Sequence, residues 1–352
     1  ARAGRAAAAS GAHTEAARFF AAALEHAPRA DPGPRATLSE LLAMALLLTN
    51  RLDEAIAACQ RAVAWRRAEG DARGVCGGRQ SLAVFEWYNG NRPTAEEHAA
   101  AAVEVLGDAL PGTPEGIVLG NAYAIAAFLA LQASDLVTAR DRYHRAREMA
   151  GGNEDETLEV RLTAIDSMVA ISSGDVAGRD RLLAVLERTG EHVFSEAYSS
   201  GYTNLANVDV EQRRLDDAEK VLDHSLPLTV QWDLPLCHFW QRGVRGRLRM
   251  LRGAWDEAWH DASVVLADSA SCLTHTLPYL VRGLVELRRG GEGATEHLDR
   301  GWDLAVRFGE PLRLLPAAAA LAERCWLTGE TDPRLDEAAT LLATLGTRPG
   351  TE

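Results

Sequence analysis

The chain has 352 residues, of which 47% are hydrophobic and 25% are charged, a composition that excludes intrinsic disorder. Its formal net charge of −13 argues against direct contact with nucleic acid, which requires a concentrated positive surface. Lys220 is the only lysine among 37 basic residues, so a phosphate-binding loop of the Gly-x-x-x-x-Gly-Lys-Ser/Thr type is excluded.

A small residue recurs at a regular interval, each time just after a turn and just inside an apolar helical run. Eight intervals separate Ala16 from Ala338, which are 322 residues apart, so the period is about forty residues. Such a period is typical of stacked helical hairpins, in which each unit buries its apolar face against its neighbours. The recurring alanines are Ala16, Ala55, Ala95, Ala139, Ala177, Ala218, Ala258 and Ala338, with a weaker copy at Ala294.

Apolar periodicity and helix-breaking residues predict the helices in chain order. Thr37 and Thr94 each stand three residues before a glutamate, the spacing of a capping box at a helix start. A polar loop is expected at 151–156, as a soft boundary between two halves. The helices are predicted near 12–27, 37–49, 52–68, 73–89, 93–108, 116–132, 136–150, 157–172, 176–189, 195–211, 215–228, 235–251, 255–267, 275–289, 293–307, 312–328 and 334–346.

The first repeat resembles the tetratricopeptide consensus. Its residues Gly11, Ala16, Phe20, Ala23 and Pro28 match the glycine, alanine, aromatic, alanine and proline positions of that motif. The glycine lets the turn close, the alanines allow close approach of the helices, and the proline ends the second helix. We therefore expect an all-α, tetratricopeptide-like superhelix (a solenoid) of about nine helical hairpins, forming a single domain over residues 1–352. Because the chain begins within the pattern, we also expect it to be part of a longer protein.

The residue types that carry enzyme chemistry show no familiar catalytic or metal-binding spacing. Five scattered cysteines predict reduced thiols in a cytoplasmic protein. The ten histidines lack zinc-site spacing, although His224 and His238 flank one repeat junction and could meet at a metal. No apolar stretch of eighteen residues is expected, hence no membrane span. We expect no enzymatic activity, no cofactor and no metal.

A basic cluster leaves two interpretations open. It could bind an acidic partner, or it could lie on a solvated helix face. Its members are Arg242, Arg245, Arg247, Arg249 and Arg252.

Candidate binding residues are the polar and aromatic side chains of the first helix in each hairpin, which lines the concave surface of such a superhelix. Aromatic faces with amides suit a sugar, a nucleobase-like ring or a peptide. The alternative is that the aromatics, Tyr202 among them, pack as wedges between hairpins. Asn204 and Asn207 are harder to explain by packing, because amides favour helix less than alanine does. The candidates are Trp87, Tyr88, Asn121, Tyr198, Tyr202, Asn204, Asn207, His238 and Trp240.

Two passages resemble the helical-repeat region of large bacterial LuxR-type regulators related to the maltose regulator MalT. They are Leu280-Val-Arg-Gly-Leu-Val-Glu-Leu-Arg-Arg-Gly-Gly291 and the segment from Leu304-Ala-Val-Arg-Phe-Gly-Glu-Pro to Leu327-Thr-Gly-Glu330. The arginine-rich, lysine-poor composition is also similar to theirs. A similar region follows the ATPase module of some adenylate-cyclase-like bacterial proteins.

This resemblance implies a function as well as a fold. In such regulators the repeats lie between an N-terminal ATPase domain and a C-terminal helix-turn-helix domain, sense an inducer or a protein, and control self-association into homo-oligomers. Neither flanking motif occurs in this chain. The expected function is therefore an effector-sensing or partner-docking domain of a transcriptional regulator, with a protein- or peptide-binding scaffold lacking a small-molecule effector as the alternative.

Overall fold

The computed structural model describes residues 1–28, 31–152, 156–188, 194–267 and 272–346. Within these ranges the chain forms eighteen α-helices, paired in sequence order into nine hairpins, and contains no strand. The first helices of the hairpins are α1 (Arg2–Ala9), α3 (Pro32–Leu48), α5 (Ala72–Tyr88), α7 (Pro114–Gln132), α9 (Glu156–Ser172), α11 (Glu196–Glu211), α13 (Pro235–Leu251), α15 (Cys272–Arg288) and α17 (Pro311–Thr328). The second helices are α2 (His13–His26), α4 (Leu52–Ala68), α6 (Arg92–Val105), α8 (Leu136–Ala150), α10 (Ala177–Arg188), α12 (Leu215–Gln231), α14 (Trp255–Leu266), α16 (Ala294–Phe308) and α18 (Arg334–Gly346).

The predicted all-α hairpin solenoid is confirmed, with two differences in detail. Helix α1 was not predicted, and it completes the first hairpin by packing on α2. The capping boxes were wrong, because Thr37 and Thr94 lie inside α3 and α6, whose first turns instead carry prolines with a suitable φ. Residues 153–155 of the loop expected at 151–156 lie outside the described residues.

Every turn between the two helices of a hairpin contains a residue with positive φ. At Gly90 the backbone amide donates to the Trp87 carbonyl (2.9 Å), and the next amide, of Asn91, donates to the Glu86 carbonyl (2.8 Å). This two-bond pattern caps the last carbonyls of the first helix and reverses the chain, and it recurs in the first eight hairpins. The positive-φ residues are Gly11, Asn50, Gly90, Ser134, Gly174, Arg213, Gly253, Gly290 and Gly329.

A small residue follows each turn and lies where the two helices of the hairpin approach each other. The fifth hairpin corrects the predicted position, because Ala177 is exposed and its neighbour Gly178 is buried. A Cβ atom at Gly178 would lie 2.7 Å from the Ser167 carbonyl oxygen, too close even for alanine. In six other hairpins the small residue is an alanine with no exposed surface, and in the last two, at Ala294 and Ala338, 4% of the alanine is exposed; the six are Ala16, Ala55, Ala95, Ala139, Ala218 and Ala258.

The superhelix turns so tightly that hairpins five places apart touch. Helix α3 contacts α13, and α5 contacts α15. The backbone amide of Thr14 donates to Asp233 Oδ2 (2.6 Å), and Arg307 Nη2 donates to Asn91 Oδ1 (2.8 Å). One apolar cluster accordingly extends from Ala16 in α2 to Phe308 in α16. The interior of the superhelix is therefore narrow and filled with side chains, unlike a wide open groove.

Helix α7 corrects the expectation that no segment is apolar enough to cross a membrane. Over the described residues it is the one helix that meets this criterion of length and composition, with a mean hydropathy of 1.4. Its packing against α5, α6, α8 and α9 inside the solenoid accounts for this apolar character.

The close approach of paired helices can be tested within α6. Ala95 is fully buried against the preceding helix, whereas Ala100 is exposed. We expect Ala95→Leu to lower the free energy of unfolding by about 1–3 kcal/mol, because the extra atoms must force the helices apart. The matched control Ala100→Leu should change it by less than about 0.5 kcal/mol. Urea denaturation followed by circular dichroism measures both, and equal effects would contradict the packing role.

Candidate functional site

A mostly apolar cavity lies inside the superhelix between the first helices α5, α7, α9 and α11. The enclosed cavity measures about 60 Å³, and it opens into about 610 Å³ of space between side chains that includes solvent. One water needs roughly 10–15 Å³ of such space, so the enclosed part holds a few waters, and a larger ligand would extend into the open part. Its apolar walls include Val84, Ile125, Phe128, Ile165 and Met168.

Few polar side chains reach this cavity, and they are concentrated on α9 and α11. Glu196 Oε1 accepts hydrogen bonds from the Tyr88 hydroxyl (2.9 Å) and from the Ser200 hydroxyl (2.9 Å). Arg161 Nη2 lies 3.8 Å from Glu196 Oε2, a loose ion pair between partly exposed side chains. Asn204 completes the polar part of the wall. An apolar pocket with a few oriented polar groups is the usual form of a small-molecule site.

A second, smaller cavity adjoins the first. It occupies about 430 Å³ between α11, α13, α15 and α17, and Asn204 lines both cavities. Asn207 and Thr276 line only the second cavity, and their side-chain oxygens, Asn207 Oδ1 and Thr276 Oγ1, are buried with no hydrogen-bond partner among the described residues. Such atoms favour a bound polar group or ordered water in this space.

Edge-to-face aromatic contacts connect the two cavities. The Trp87 ring lies 5.0 Å from Tyr88, 4.8 Å from Phe128 and 5.9 Å from Trp240, measured between ring centroids. Trp87 lines the first cavity and Trp240 the second. Because each ring holds its neighbours in place, the cavity walls are rigid at this point.

A buried ion pair fixes the same aromatic group to the far end of the chain. Trp87 Nε1 donates to Glu310 Oε1 (2.6 Å), and Arg313 Nη1 lies 2.8 Å from Glu310 Oε2. Burial raises the pKa of Glu310, and the charge of Arg313 opposes that rise. The Arg313 guanidinium also lies over the rings of Trp87 (5.6 Å) and Phe308 (4.8 Å). These contacts join α5 to the start of α17 across one superhelical turn.

The structure brings five of the nine predicted binding residues together at these cavities. Trp87, Tyr88 and Asn204 line the first cavity, and Asn204, Asn207 and Trp240 line the second. All of the residues that line either cavity belong to first helices, as expected for the concave side of a solenoid.

The other four predicted residues lie outside both cavity walls and bond within the fold. Asn121 Nδ2 donates to the Ile117 carbonyl of its own helix (3.2 Å). The Tyr198 hydroxyl donates to Glu156 Oε1 (2.9 Å). The Tyr202 ring stacks on Phe194, with ring centroids 6.2 Å apart. His238 Nδ1 lies 3.0 Å from Thr229 Oγ1.

The two histidines at the predicted repeat junction do not belong to a metal-binding group within the described ranges of the chain. Burial lowers the pKa of His238, and the charges of Arg242 and Arg245 lower it further. His224 is exposed and lies beside the Tyr202 ring. Among the described residues, no three histidine, cysteine or carboxylate side chains are grouped to hold a metal ion.

Sequence reasoning missed the charged residues of the site. Arg161 and Glu196 at the first cavity, and Glu310 with Arg313 beside Trp87, were not among the candidates. Each lies on or next to a first helix among apolar neighbours. This was the one sequence feature that could have identified them as residues of the site. Their partners come from other hairpins, so their pairing could not be inferred from spacing along the chain.

The basic cluster on α13 is occupied by partners from the chain itself, which corrects both sequence-based interpretations. Asp261, with no exposed surface, accepts from Arg242 Nε (2.8 Å), Arg245 Nη2 (2.8 Å) and Arg249 Nη1 (2.6 Å). The two remaining arginines bond elsewhere, Arg247 to Glu211 and Arg252 to Asp216 and Glu219. These arginines therefore brace α13 against α12, α14 and the end of α11.

No family model and no curated protein matches the chain. Among solved structures, it is similar to a tetratricopeptide repeat protein from Parabacteroides merdae, with 14% sequence identity, a TM-score of 0.38, and coverage of 88% of this chain and 98% of that chain. This superposition is loose, so the tetratricopeptide-like fold of the present chain rests on its own hairpins, turns and buried small residues.

Because arginines bind the Asp261 carboxylate, we expect the fold to lose stability at acidic pH. Burial alone would raise the pKa of Asp261, but the hydrogen bonds and charges of Arg245, Arg249 and Arg242 outweigh it, so the pKa lies below its usual value of 3.8. A carboxyl with a lowered folded-state pKa stabilises the fold above pH 3.8, and this stabilisation is lost as the pH falls through the lowered value.

We expect Asp261→Asn to lower the free energy of unfolding at pH 7 by about 3 kcal/mol, since three arginines lose their shared counter-charge. The variant should also lose less stability than the wild type between pH 5 and pH 2. Asp216→Asn is the matched control, because Asp216 is exposed and pairs with Arg252, and its effect should stay below about 1 kcal/mol. Chemical denaturation across this pH range measures both, and identical pH profiles for wild type and Asp261→Asn would contradict the assignment.

Proposed function

We propose that this chain is the effector-sensing helical-repeat domain of a bacterial transcriptional regulator of the LuxR type, similar to MalT, and that its effector is a small molecule bound inside the superhelix. The observation that carries the proposal is the apolar cavity between α5, α7, α9 and α11, with its few polar groups on one side. An apolar pocket with a few oriented polar groups is the composition typical of small-molecule sites.

The tightness of the superhelix favours a small effector over an extended peptide. Peptide-binding solenoids present a long concave groove, with room for a chain along its length. Here the concave side is closed by contacts between α3 and α13 and between α5 and α15, and the aromatic rings of Trp87 and Trp240 meet across it. The free space that remains is local.

The cavity also supports a mechanism of signalling. Its walls come from four successive hairpins, so a ligand that contacts all four favours one curvature of the superhelix over others. A change in curvature would alter contacts across the superhelical turn and, in the full-length protein, contacts with the flanking ATPase and helix-turn-helix domains. This is a population shift, whose size is limited by the difference in ligand affinity between the two states.

A second function, the docking of a protein or peptide, is favoured by one observation. Helix α17 exposes Leu315, Trp326 and Leu327, with 52%, 81% and 48% of their surfaces accessible. Leu315 and Trp326 lie about three turns apart on the same side of the helix. Exposed apolar surface of this kind is typical of contacts with another protein.

Filling the cavity tests the proposed effector site. Ala164 lines the cavity and is partly buried, so Ala164→Phe should place a ring in the free space. In a thermal-shift screen of sugars, nucleotides, short peptides and small aromatic compounds, we expect at least one small molecule to raise the melting temperature of the wild type and to have no effect on Ala164→Phe. Ala100→Phe, on an exposed helix face, should respond like the wild type. Compounds that stabilise Ala164→Phe equally would place the effector elsewhere.

Two neighbouring residues of α11 separate binding from packing. Asn204 faces both cavities, whereas Tyr202 packs on Phe194. We expect Asn204→Ala to weaken the effector response while changing the free energy of unfolding by less than about 0.5 kcal/mol. Tyr202→Ala should lower that free energy by about 3–5 kcal/mol, as for other buried aromatic deletions. Thermal and urea denaturation, with and without the compound, measure both; the reverse pattern would move the site to Tyr202.

A further inference from the structure

One cation at the first cavity has unused hydrogen-bonding capacity. Arg161 carries five N–H donors, and its one partner among the described residues is Glu196, at 3.8 Å, beyond hydrogen-bond distance. Most of the other arginine side chains in the interior of the fold are bound closely, for example Arg313 to Glu310 at 2.8 Å. The guanidinium at the cavity is therefore free to hold an acceptor supplied by a ligand.

One oxygen of the acidic group beside it is already engaged. Glu196 Oε1 accepts the hydroxyls of Tyr88 and Ser200, both at 2.9 Å. A cationic ligand would have to compete with these two bonds and would be repelled by Arg161. A carboxylate ligand would be repelled by Glu196 but would gain a charge-assisted, two-pronged contact with the guanidinium, whose donors have no close partner among the described residues.

The shape of the remaining space limits the rest of the ligand. Trp87, Tyr88 and Phe128 present ring surfaces to the cavity, and Ile165 and Met168 add aliphatic contacts. A flat ring packs well against such edges and faces. The cavity is partly open to solvent, so a ring against these walls need not be fully enclosed. Arg161 has 27% of its side chain exposed, so the charged end of the ligand would lie toward solvent.

We propose that the cavity binds a single-ring aromatic carboxylate, with the ring against Trp87 and Phe128 and the carboxylate on the Arg161 guanidinium. This assignment rests on the proposed effector site and specifies the chemical class of the effector. Asn204, on the wall shared with the second cavity, is placed to bond a further polar substituent of the ring.

Three probes that share a 4-fluorophenyl ring and carry a negative, neutral or positive substituent test the proposal. They are 4-fluorobenzoate, the neutral 4-fluorobenzamide and the cationic 4-fluorobenzylamine, each titrated with the intact chain and followed by fluorine NMR. We expect the wild type to bind the benzoate about tenfold more tightly than the amide, as one charge-assisted hydrogen-bond pair allows, and the amine most weakly. Ala164→Phe should abolish the binding of all three, which places them in the cavity.

Arginine variants supply the residue-level test. Arg161→Met should reduce the preference for benzoate over benzamide to less than about twofold, and Arg161→Lys should restore part of it. Arg73→Met is the matched control, because Arg73 lies on a first helix, pairs with Glu115 at 3.4 Å, and does not line the cavity. It should bind the probes like the wild type.

The outcomes separate this assignment from the proposed function. Wild-type protein that binds the amide or the amine as tightly as the benzoate, in a manner abolished by Ala164→Phe, would overturn the carboxylate class and leave the effector site in place. Binding of none of the three probes would also overturn it, and the broader compound screen would then decide the proposed function. A benzoate preference that persists in Arg161→Met would assign the carboxylate to another group.

Discussion

The close approach of paired helices, through a residue no larger than alanine, is the constraint on which the rest of this structure depends. Ala95 and its equivalents have no exposed surface, and at Gly178 even a Cβ atom would meet the Ser167 carbonyl. A larger side chain there would force each hairpin open. Every hairpin repeats this contact, so its two helices lie close together. These short interhelix distances add up to one tight superhelical turn, and that turn determines how much space remains inside.

The tight turn converts an extended repeat protein into one with long-range contacts. Most solenoids are stabilised between neighbouring units, and their ends do not meet. Here Trp87, Glu310 and Arg313 connect the third hairpin with the ninth through a buried charge pair. Burial of two charges costs desolvation energy that their attraction can only partly offset, so such a pair is weak evidence for stability. It also lies against the aromatic rings between the two cavities, which couples curvature to the shape of the binding space.

Individual residues show how far sequence reasoning reached. The gaps between the predicted helices contain Gly90, Gly174 and Gly253, and these residues do form the turns, because a left-handed backbone conformation favours glycine irrespective of the fold around it. The capping boxes at Thr37 and Thr94 failed because prolines start those helices earlier. Of the site candidates, Trp87 and Asn204 do line a cavity, whereas Tyr202 points into packing between hairpins. The periodicity that assigned all three to first helices could not tell which side of each helix would face the interior.

By itself the sequence determined the helical hairpins, apart from the first helix, and the positions of their turns, since helix periodicity, left-handed turn residues and small contact residues all act within about forty residues of chain. Tertiary structure alone decided the curvature, the cavities and the charges that line them. Arg161 and Glu196 are 35 residues apart, and Trp87 and Glu310 are 223 apart. Their encounters depend on the sum of many small rotations between hairpins, and no local pattern records that sum.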